Sequence, residues 1–393
     1  MPGALDGFRV IDFTQVISGP LATRILADQG ADVIKVEPPS GDILRHMGGP
    51  SGLSPTFATT NRSKRSVVLD LKKPGALEAL KRLVADADVF IQNNRPGAAE
   101  RMGVGEKALR EVNPKLVYVS ISGFGETGPY AHKRVYDPII QGMSGLADIQ
   151  GGVKGPPRLM RVIIPDKVTA LTAAQGITAA LLARERTGRG QHLRLSMLDA
   201  VIAFMWPEGM AYHTFVRDDG ETLKPVERRD LVFPTADGHM IASTVALREF
   251  QGFARAANKP EWLSDPRFQD AAGLVANAGE RLELMAEVLR TRTTAEWLEA
   301  LDAEDVPCGP VLTRDVLHEH AQVRENRIVV EGEHPAVGRL RQARPAERLE
   351  GTPSEIRRPA PLLGEHTTEV LGEAGLDEGE IASLRASGAL GSA

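Results

Sequence analysis

The regular alternation of strand-like and helix-like segments in the first third of the chain constrains the fold more than any other feature. RVIDF at Arg9–Phe13 and DVIKVE at Asp32–Glu37 are short apolar runs rich in β-branched residues. Between them, Pro20 suits a first helical turn and Gly30 a helix stop. Further strand-like runs follow, at Ser66–Leu71, Asp88–Asn93 and Lys115–Gly123. Strands separated by helices pair in parallel through right-handed crossovers, so we expect a doubly wound, largely parallel α/β sheet of the Rossmann-like type.

The length of 393 residues exceeds the usual size of one hydrophobic core and predicts more than one domain. We expect a large domain over residues 1–205 and a smaller α/β domain over residues 219–318. The proline-led tail, residues 330–393, is expected to return to the large domain as loop and short helices.

Three local patterns refine this division. Residues 136–160 are rich in glycine and punctuated by proline, which predicts a loop with one short helix. An apolar, alanine-rich helix is expected over residues 167–186, before the glycines of TGRG. In the smaller domain, Asp237-Gly238 between two strand-like runs predicts a hairpin.

Composition excludes several classes of protein. The net charge of −5 provides no strong basic field for nucleic acid, so any anion site must be local. The single cysteine, Cys308, excludes an internal disulfide and a cysteine-based metal cluster, and the histidines show no metal-binding spacing. The N-terminus lacks a secretory signal pattern, and no apolar run approaches the ~20 residues of a membrane helix. We therefore expect a cytoplasmic protein without metal, membrane or nucleic-acid partners.

Asp166 directly precedes the long predicted helix. An aspartate in this place is typical of a helix cap, because Asp is among the best N-cap residues and Pro165 suits a chain that enters a helix. A catalytic role is compatible with capping, since the helix dipole favours the ionised carboxylate that a nucleophile requires. The local pattern favours the cap and leaves the catalytic role open.

Basic residues recur near predicted strand ends and loops, where a polyphosphate would use them. They are Arg62, Lys64, Arg65, Lys72, Lys73, Arg95, Arg101, Lys133 and Arg134. A solvated face explains any one of these clusters equally well. Ser18–Pro20 lies between the first strand and first helix, a place where helix N-termini bind phosphate, although a plain tight turn is as good an explanation.

Eight collinear segments carry a resemblance over nearly the whole chain. They are LDGFRVIDFTQVISGP, GADVIKVEPPSGD, NRSKRSVVLDLKK, NRPGAAERMG, NPKLVYVSISGFGETGPY, VYDPIIQGMSGL, TGRGQHLRLSMLDA and PAPLLGEHTTEVL. In this order they resemble the class III CoA-transferase family, which includes formyl-CoA transferase, carnitine CoA-transferase and the 2-methylacyl-CoA racemases.

The resemblance implies an enzyme that moves coenzyme A from an acyl-CoA to a small carboxylic acid, with no tightly bound cofactor. Asp166 matches the family's nucleophile, which forms a mixed anhydride and then an aspartyl-CoA thioester. The implied CoA-binding positions are Val16, Leu69, Lys72, Asn93, Arg101, Met102 and Arg134. The implied substrate pocket holds Gln15, Tyr136 and Asp137. The family also implies a homodimer of two interlocked rings, each chain joining its large, CoA-binding domain to its small domain by long linkers.

Two departures from the family's patterns bear on the reaction. The racemases carry a histidine before the aspartate of the VYDPIIQG segment, where this chain has Tyr136. A phenol with a pKa near 10 is a poor base at pH 7, so racemisation becomes the alternative function. The glycine-rich loop of formyl-CoA transferase is not evident near FPTADGHM, which leaves the acyl groups open. A non-catalytic CoA-binding module is a third possibility, and it requires Asp166 to be only a cap.

Overall fold

In the computed structural model, the chain is described over residues 1–49, 53–152, 155–216 and 230–391. It divides into two compact units. The large unit comprises Met1–Pro225 together with Arg327–Ala393, and the small unit comprises Val226–Asn326. Residue 219, where the sequence predicted the small domain to begin, lies outside the described residues. No helix in the described part of the chain is long and apolar enough to cross a membrane.

A six-stranded parallel sheet forms the centre of the large unit. Its strands are β1 (Arg9–Phe13), β2 (Asp32–Glu37), β3 (Lys64–Val68), β4 (Val89–Gln92), β5 (Val117–Ser122) and β6 (His192–Ser196). Their order is β3-β2-β1-β4-β5-β6, and every neighbouring pair is parallel. The α/β prediction is therefore confirmed. Strand order reverses between β1 and β4, which is where open α/β sheets bind ligands.

Helices cover both faces of this sheet. In chain order they are α1 (Ser18–Asp28), α2 (Pro55–Asn61), α3 (Ala76–Ala85), α4 (Ala98–Arg101), α5 (Glu106–Val112), α6 (Asp137–Met143), α7 (Leu146–Gly151), α8 (Pro165–Thr187) and α9 (Met197–Met205). Leu80 of α3 and Leu109 of α5 pack on one face, and Leu26 of α1 and Ile177 of α8 pack on the other. Two-sided cover explains why the strands are apolar on both faces.

Two details of these helices differ from the sequence prediction. Residues 137–151 form two helices, α6 and α7, where one was expected, because Gly145 takes a left-handed φ of +88° that ends one helix and begins the next. Helix α8 begins at Pro165, so it includes Asp166. Residues 153 and 154 of the predicted loop lie outside the described residues.

The small unit is built on the three-stranded antiparallel sheet β7 (Val232–Pro234), β8 (His239–Ala242) and β9 (Cys308–Pro310). The turn that contains Asp237 and Gly238 joins β7 to β8, which confirms the predicted hairpin. Its helices are α10 (Leu247–Ala256), α11 (Ala271–Ala276), α12 (Ala278–Leu289), α13 (Thr294–Asp302) and α14 (Ala321–Glu325). Phe250, Phe253 and Trp297 form an aromatic core behind the sheet.

The C-terminal part of the chain contributes the antiparallel hairpin β10 (Val329–His334) and β11 (Gly338–Ala343), followed by α15 (Thr367–Glu373) and α16 (Glu378–Ala386). Val370 and Leu384 of these helices pack into the core of the large sheet. The Arg65 guanidinium pairs with Glu369 and Glu373, at 2.8 Å from each, and fixes α15 against β3.

Candidate active site

A cavity of about 280 Å³ lies at the carboxyl edge of the large sheet, beside the point where strand order reverses. The loops after β1, β4 and β5 and the beginning of α8 contribute its walls. Eight of the residues singled out in the sequence lie around it: Val16, Ser18, Asn93, Arg95, Lys133, Arg134, Tyr136 and Asp166. The fold thus brings together residues that are distant in the chain.

Asp166 is the second residue of α8 and does not cap it, contrary to the expectation from the local sequence. Ile164 occupies the N-cap position and makes no side-chain capping bond. Pro165 explains the difference, because its fixed φ and missing N–H suit the first helical position and move the helix start one residue earlier. The Asp166 side chain is therefore not the capping group of α8, and it lines the cavity.

The environment of Asp166 makes its carboxylate unusually basic. Its pKa is raised from 3.8 to about 6, chiefly by burial and secondly by the neighbouring charge of Asp137, while hydrogen bonds from the Ser18 hydroxyl and backbone N–H oppose both effects. The helix dipole, which was expected to lower the pKa of Asp166, does not outweigh the effects of burial and of Asp137. With a pKa of about 6 the carboxylate is still ionised at pH 7 and is a better nucleophile than an ordinary aspartate.

The loop that follows β1 is held in a strained conformation beside Asp166. Val16 has a φ of +70°, which is rare for a β-branched residue. The Asp42 carboxylate accepts the Val16 N–H at 3.3 Å and is itself paired with Lys35 at 3.0 Å, fully out of contact with solvent. Across the sheet's reversal point, the Gln15 N–H donates to Asn93 Oδ1 at 3.0 Å, and Asn93 Nδ2 donates to the Gln15 carbonyl at 2.7 Å. These contacts shape one wall of the cavity and leave the Gln15 side chain exposed.

Three cations stand around the carboxylate. Arg95, Lys133 and Arg134 line the same cavity, and none of them makes an ion pair with another residue in the described ranges. Lys133 lies over the Tyr130 ring, with its Nζ 3.7 Å from the ring centroid. The site therefore offers positive charge to an anionic ligand in the cavity that also contains the Asp166 carboxylate.

The remaining predicted site residues do not line this cavity. Leu69 is buried in the core beyond the end of β3, and Met102 packs against the same core. Lys72 and Arg101 are exposed on the loop after β3 and at the end of α4. Asp137 is buried beneath the cavity, where its Oδ2 accepts the Asp166 N–H at 3.2 Å. Tyr136, by contrast, is one of the residues that line the cavity, as stated above, and its side chain is 69% exposed.

Some predicted anion contacts are instead structural ion pairs. Arg62, Lys64 and Arg65 are buried and pair with Asp28, Asp12 and Asp32, respectively. Their positions in β3 and just before it, rather than in a loop, explain the difference. Ser18, considered above as part of a phosphate-binding turn, opens α1 and donates to the Asp166 carboxylate. The sequence indicated Ser18 through its position at the end of a strand, but it gave no sign that Asp166 would be its partner.

A second cavity of about 660 Å³ adjoins the first. The two share the loop after β4 and the end of β5 as walls, including Asn94, Arg95 and Ser122. His132, the histidine nearest to Tyr136 in the sequence, lines this second cavity and not the one that contains Asp166. No group of three or more potential metal ligands occurs among the residues that the structure describes.

Residues 5–367 match CoA-transferase family III, so the chain belongs to this family and is a CoA-transferase. It is 35% identical, over 94% of this chain and 95% of the relative, to the succinate–glutarate CoA-transferase of Agrobacterium fabrum. It is 33% identical to the formyl-CoA:oxalate CoA-transferase of Rhodopseudomonas palustris, over 99% of this chain and 98% of the relative. The crystal structure of a CAIB/BAIF family protein from Brucella suis matches with a TM-score of 0.83 at 29% identity, covering 95% of this chain and all of the other.

Proposed function

We propose that this enzyme transfers CoA from an acyl-CoA to a small carboxylic acid through a thioester between Asp166 and CoA. The observation that carries the proposal is the position of the Asp166 carboxylate, basic but ionised at pH 7, in a cavity lined also by three cations that form no ion pair within the described part of the chain. A carboxylate substrate has to approach another carboxylate in this reaction, and the cations reduce the repulsion between the two.

The reaction divides into two matched halves. An Asp166 oxygen attacks the carbonyl carbon of the donor thioester and expels the CoA thiolate, which leaves a mixed anhydride. The thiolate then attacks the Asp166 carboxyl carbon and releases the donor acid, which gives the aspartyl-CoA thioester. The acceptor carboxylate repeats the same two steps in reverse and regenerates Asp166. Each step exchanges acyl bonds of similar energy, so covalent catalysis needs no additional oxidant or cofactor.

Ser18 is suited to assist these steps. Its N–H and hydroxyl already donate to the Asp166 carboxylate. When the Asp166 carboxyl carbon is attacked, negative charge develops on one of its oxygens, and donors at the beginning of α1 are in place to stabilise that charge.

Two of the named relatives act on small dicarboxylic acids or their CoA esters, so succinyl-CoA and glutarate are the first pair to assay. We expect formation of glutaryl-CoA with ping-pong kinetics. A 2-methylacyl-CoA incubated with the enzyme in deuterated water should keep its α-hydrogen. The position that the racemases fill with a histidine base is occupied here by Tyr136, an exposed residue of the cavity wall whose phenol is a poor base at pH 7. Rapid α-deuteration with no transfer to any acid tested would establish the racemase instead. Tight CoA binding with neither reaction would establish a non-catalytic module.

Replacement of Arg134 by alanine is expected to raise KM for the CoA donor about tenfold or more and to change kcat much less. A charge-assisted contact of a guanidinium with a phosphate contributes ~1.5–3 kcal/mol, and Arg134 is expected to hold a part of CoA that does not react. Arg189→Ala, an exposed arginine beyond the far end of α8, is the matched control. Steady-state kinetics over a range of donor concentrations separates the two parameters. Unchanged donor affinity in Arg134→Ala would mean that CoA binds elsewhere.

We further propose that two chains assemble as the interlocked homodimer that the family resemblance implies. Large apolar side chains on α8 and α9 support an interface there, because Leu171, Leu182 and Phe204 are each more than half exposed in the single chain.

A further inference from the structure

A chain of hydrogen bonds connects the start of α8 to the interior of the large unit. The Asp166 N–H donates to Asp137 Oδ2 at 3.2 Å, and Gln141 Nε2 donates to Asp137 Oδ1 at 2.6 Å. The Gln141 oxygen in turn accepts the backbone N–H of Met160 at 2.9 Å. Asp137 and Gln141 are 4% and 2% exposed, respectively. The two side chains in the middle of this chain of hydrogen bonds are therefore fixed in one arrangement away from solvent.

The orientation of the Gln141 amide follows from these contacts. The Met160 N–H can only donate, so the Gln141 oxygen must face it and the Gln141 NH₂ group must face Asp137. An ionised carboxylate can only accept, and here it receives one donor on each oxygen. Each oxygen of the buried Asp137 side chain is thus provided with a hydrogen-bond donor in place of water.

We propose that Gln141 is a positioning residue, which holds the Asp137 carboxylate against the beginning of α8, where its negative charge acts on the Asp166 carboxylate. The inference rests on the proposed role of Asp166 as the nucleophile. Gln141 lies beneath the cavity and touches no reacting atom, so its effect on the reaction passes through Asp137.

The other charged and titratable groups around Asp166 do not supply this effect. They are Arg95 after β4, Lys133, Arg134 and Tyr136 before α6, and Lys167, the next residue of α8. None of them is among the groups that shift the pKa of Asp166, and Ser18, which donates to the Asp166 carboxylate, lowers it. Within the described ranges, Asp137 is the neighbour whose charge raises the pKa of Asp166.

Asp137→Asn and Gln141→Leu test the proposal. Asparagine removes the charge at nearly constant volume, and leucine removes the donor that stabilises it. In both variants we expect the acidic limb of the pH profile for transfer, near pH 6 in the wild type, to move down by at least about half a unit. The double variant should show no further shift, because Gln141 acts through Asp137. Gln150→Leu, an exposed glutamine on α7, is the control that should leave the profile unchanged.

A readout that is independent of catalysis separates this inference from the proposed function. In protein labelled with ¹³C at the aspartate carboxyl, the signal that Asp166→Asn removes reports the titration of Asp166 directly. A lower titration midpoint in Asp137→Asn supports the inference even if no CoA thioester forms. A uniform loss of activity with an unmoved midpoint would overturn it and leave Gln141 with a structural role. If Gln141→Leu does not fold, Asp137→Asn alone decides.

Discussion

Replacement of Asp166 by asparagine is expected to lower CoA transfer by on the order of 10⁴-fold or more, because the amide has no oxygen nucleophile to open the donor thioester. Binding of the CoA donor should change little, since the cations and loops that line the cavity remain in place. The measurement is kcat for transfer together with the dissociation constant of the donor. Turnover close to the wild-type value would remove Asp166 from the mechanism.

The same substitution is expected to stabilise the fold above pH 6. In the folded chain the pKa of Asp166 is about 6, above its ordinary value of 3.8. Between these two pH values the folded state holds more protons than the unfolded state, so stability falls as pH rises through the interval. Asparagine avoids this loss, which amounts to about 2 kcal/mol or less at pH 7.5 and diminishes as pH falls toward 4. Urea unfolding of both proteins at pH 7.5 and pH 5 measures the difference, and a less stable variant at pH 7.5 would contradict the assigned environment.

Replacement of Lys64 by methionine is expected to lower the free energy of unfolding by ~3–5 kcal/mol, the largest effect on stability that we predict. Lys64 has no solvent exposure, and its Nζ donates to Asp12 at 2.8 Å, to the Pro20 carbonyl at 2.8 Å and to Asn61 at 2.7 Å. Methionine fills the space but removes the cation that contacts the buried Asp12 carboxylate, which keeps the nearby charge of Lys35 and its hydrogen bonds from Thr14 and Thr23.

Two controls define this result. Lys115→Met removes an exposed lysine and should change stability by no more than about 0.5 kcal/mol. The double variant Asp12→Asn/Lys64→Met should recover part of the loss, because it removes the uncompensated charge. Urea or thermal unfolding measures all three. A loss below about 1 kcal/mol in Lys64→Met would show that the pair is not a buried ion pair in solution.

The sequence predicted the large sheet well because its pattern is local. Arg9–Phe13 and Asp32–Glu37 form strands with the bounds expected from their apolar runs. The hairpin of β10 and β11 was missed, since VVEGEH and GRLRQA consist mostly of charged, polar and glycine residues and lack the regular apolar alternation of a half-buried strand. Its backbone pairing, rather than side-chain burial, is what organises it.

The sequence predicted part of the lining of the candidate site but not its electrostatics. The family resemblance predicts that Asp166 is the nucleophile, a role that stays a prediction, and the structure shows that Asp166 lies inside α8 and is not its cap. The pKa of Asp166 depends on Ser18 and Asp137, which come from other parts of the chain and meet it only through the sheet topology. For the same reason, the basic residues Arg62, Lys64 and Arg65 resemble a polyphosphate contact in the sequence, whereas in the fold each is paired with a carboxylate from another part of the chain.

Detection of the covalent intermediate tests the central proposal most directly. The enzyme is incubated with succinyl-CoA without an acceptor acid, denatured in acid and analysed by intact-protein and peptide mass spectrometry. We predict an adduct of CoA minus water on the peptide that contains Asp166, its loss on addition of glutarate, and its absence from the Asp166→Asn protein. An active enzyme that carries no adduct, or that carries it on a residue other than Asp166, would contradict the aspartyl-CoA mechanism.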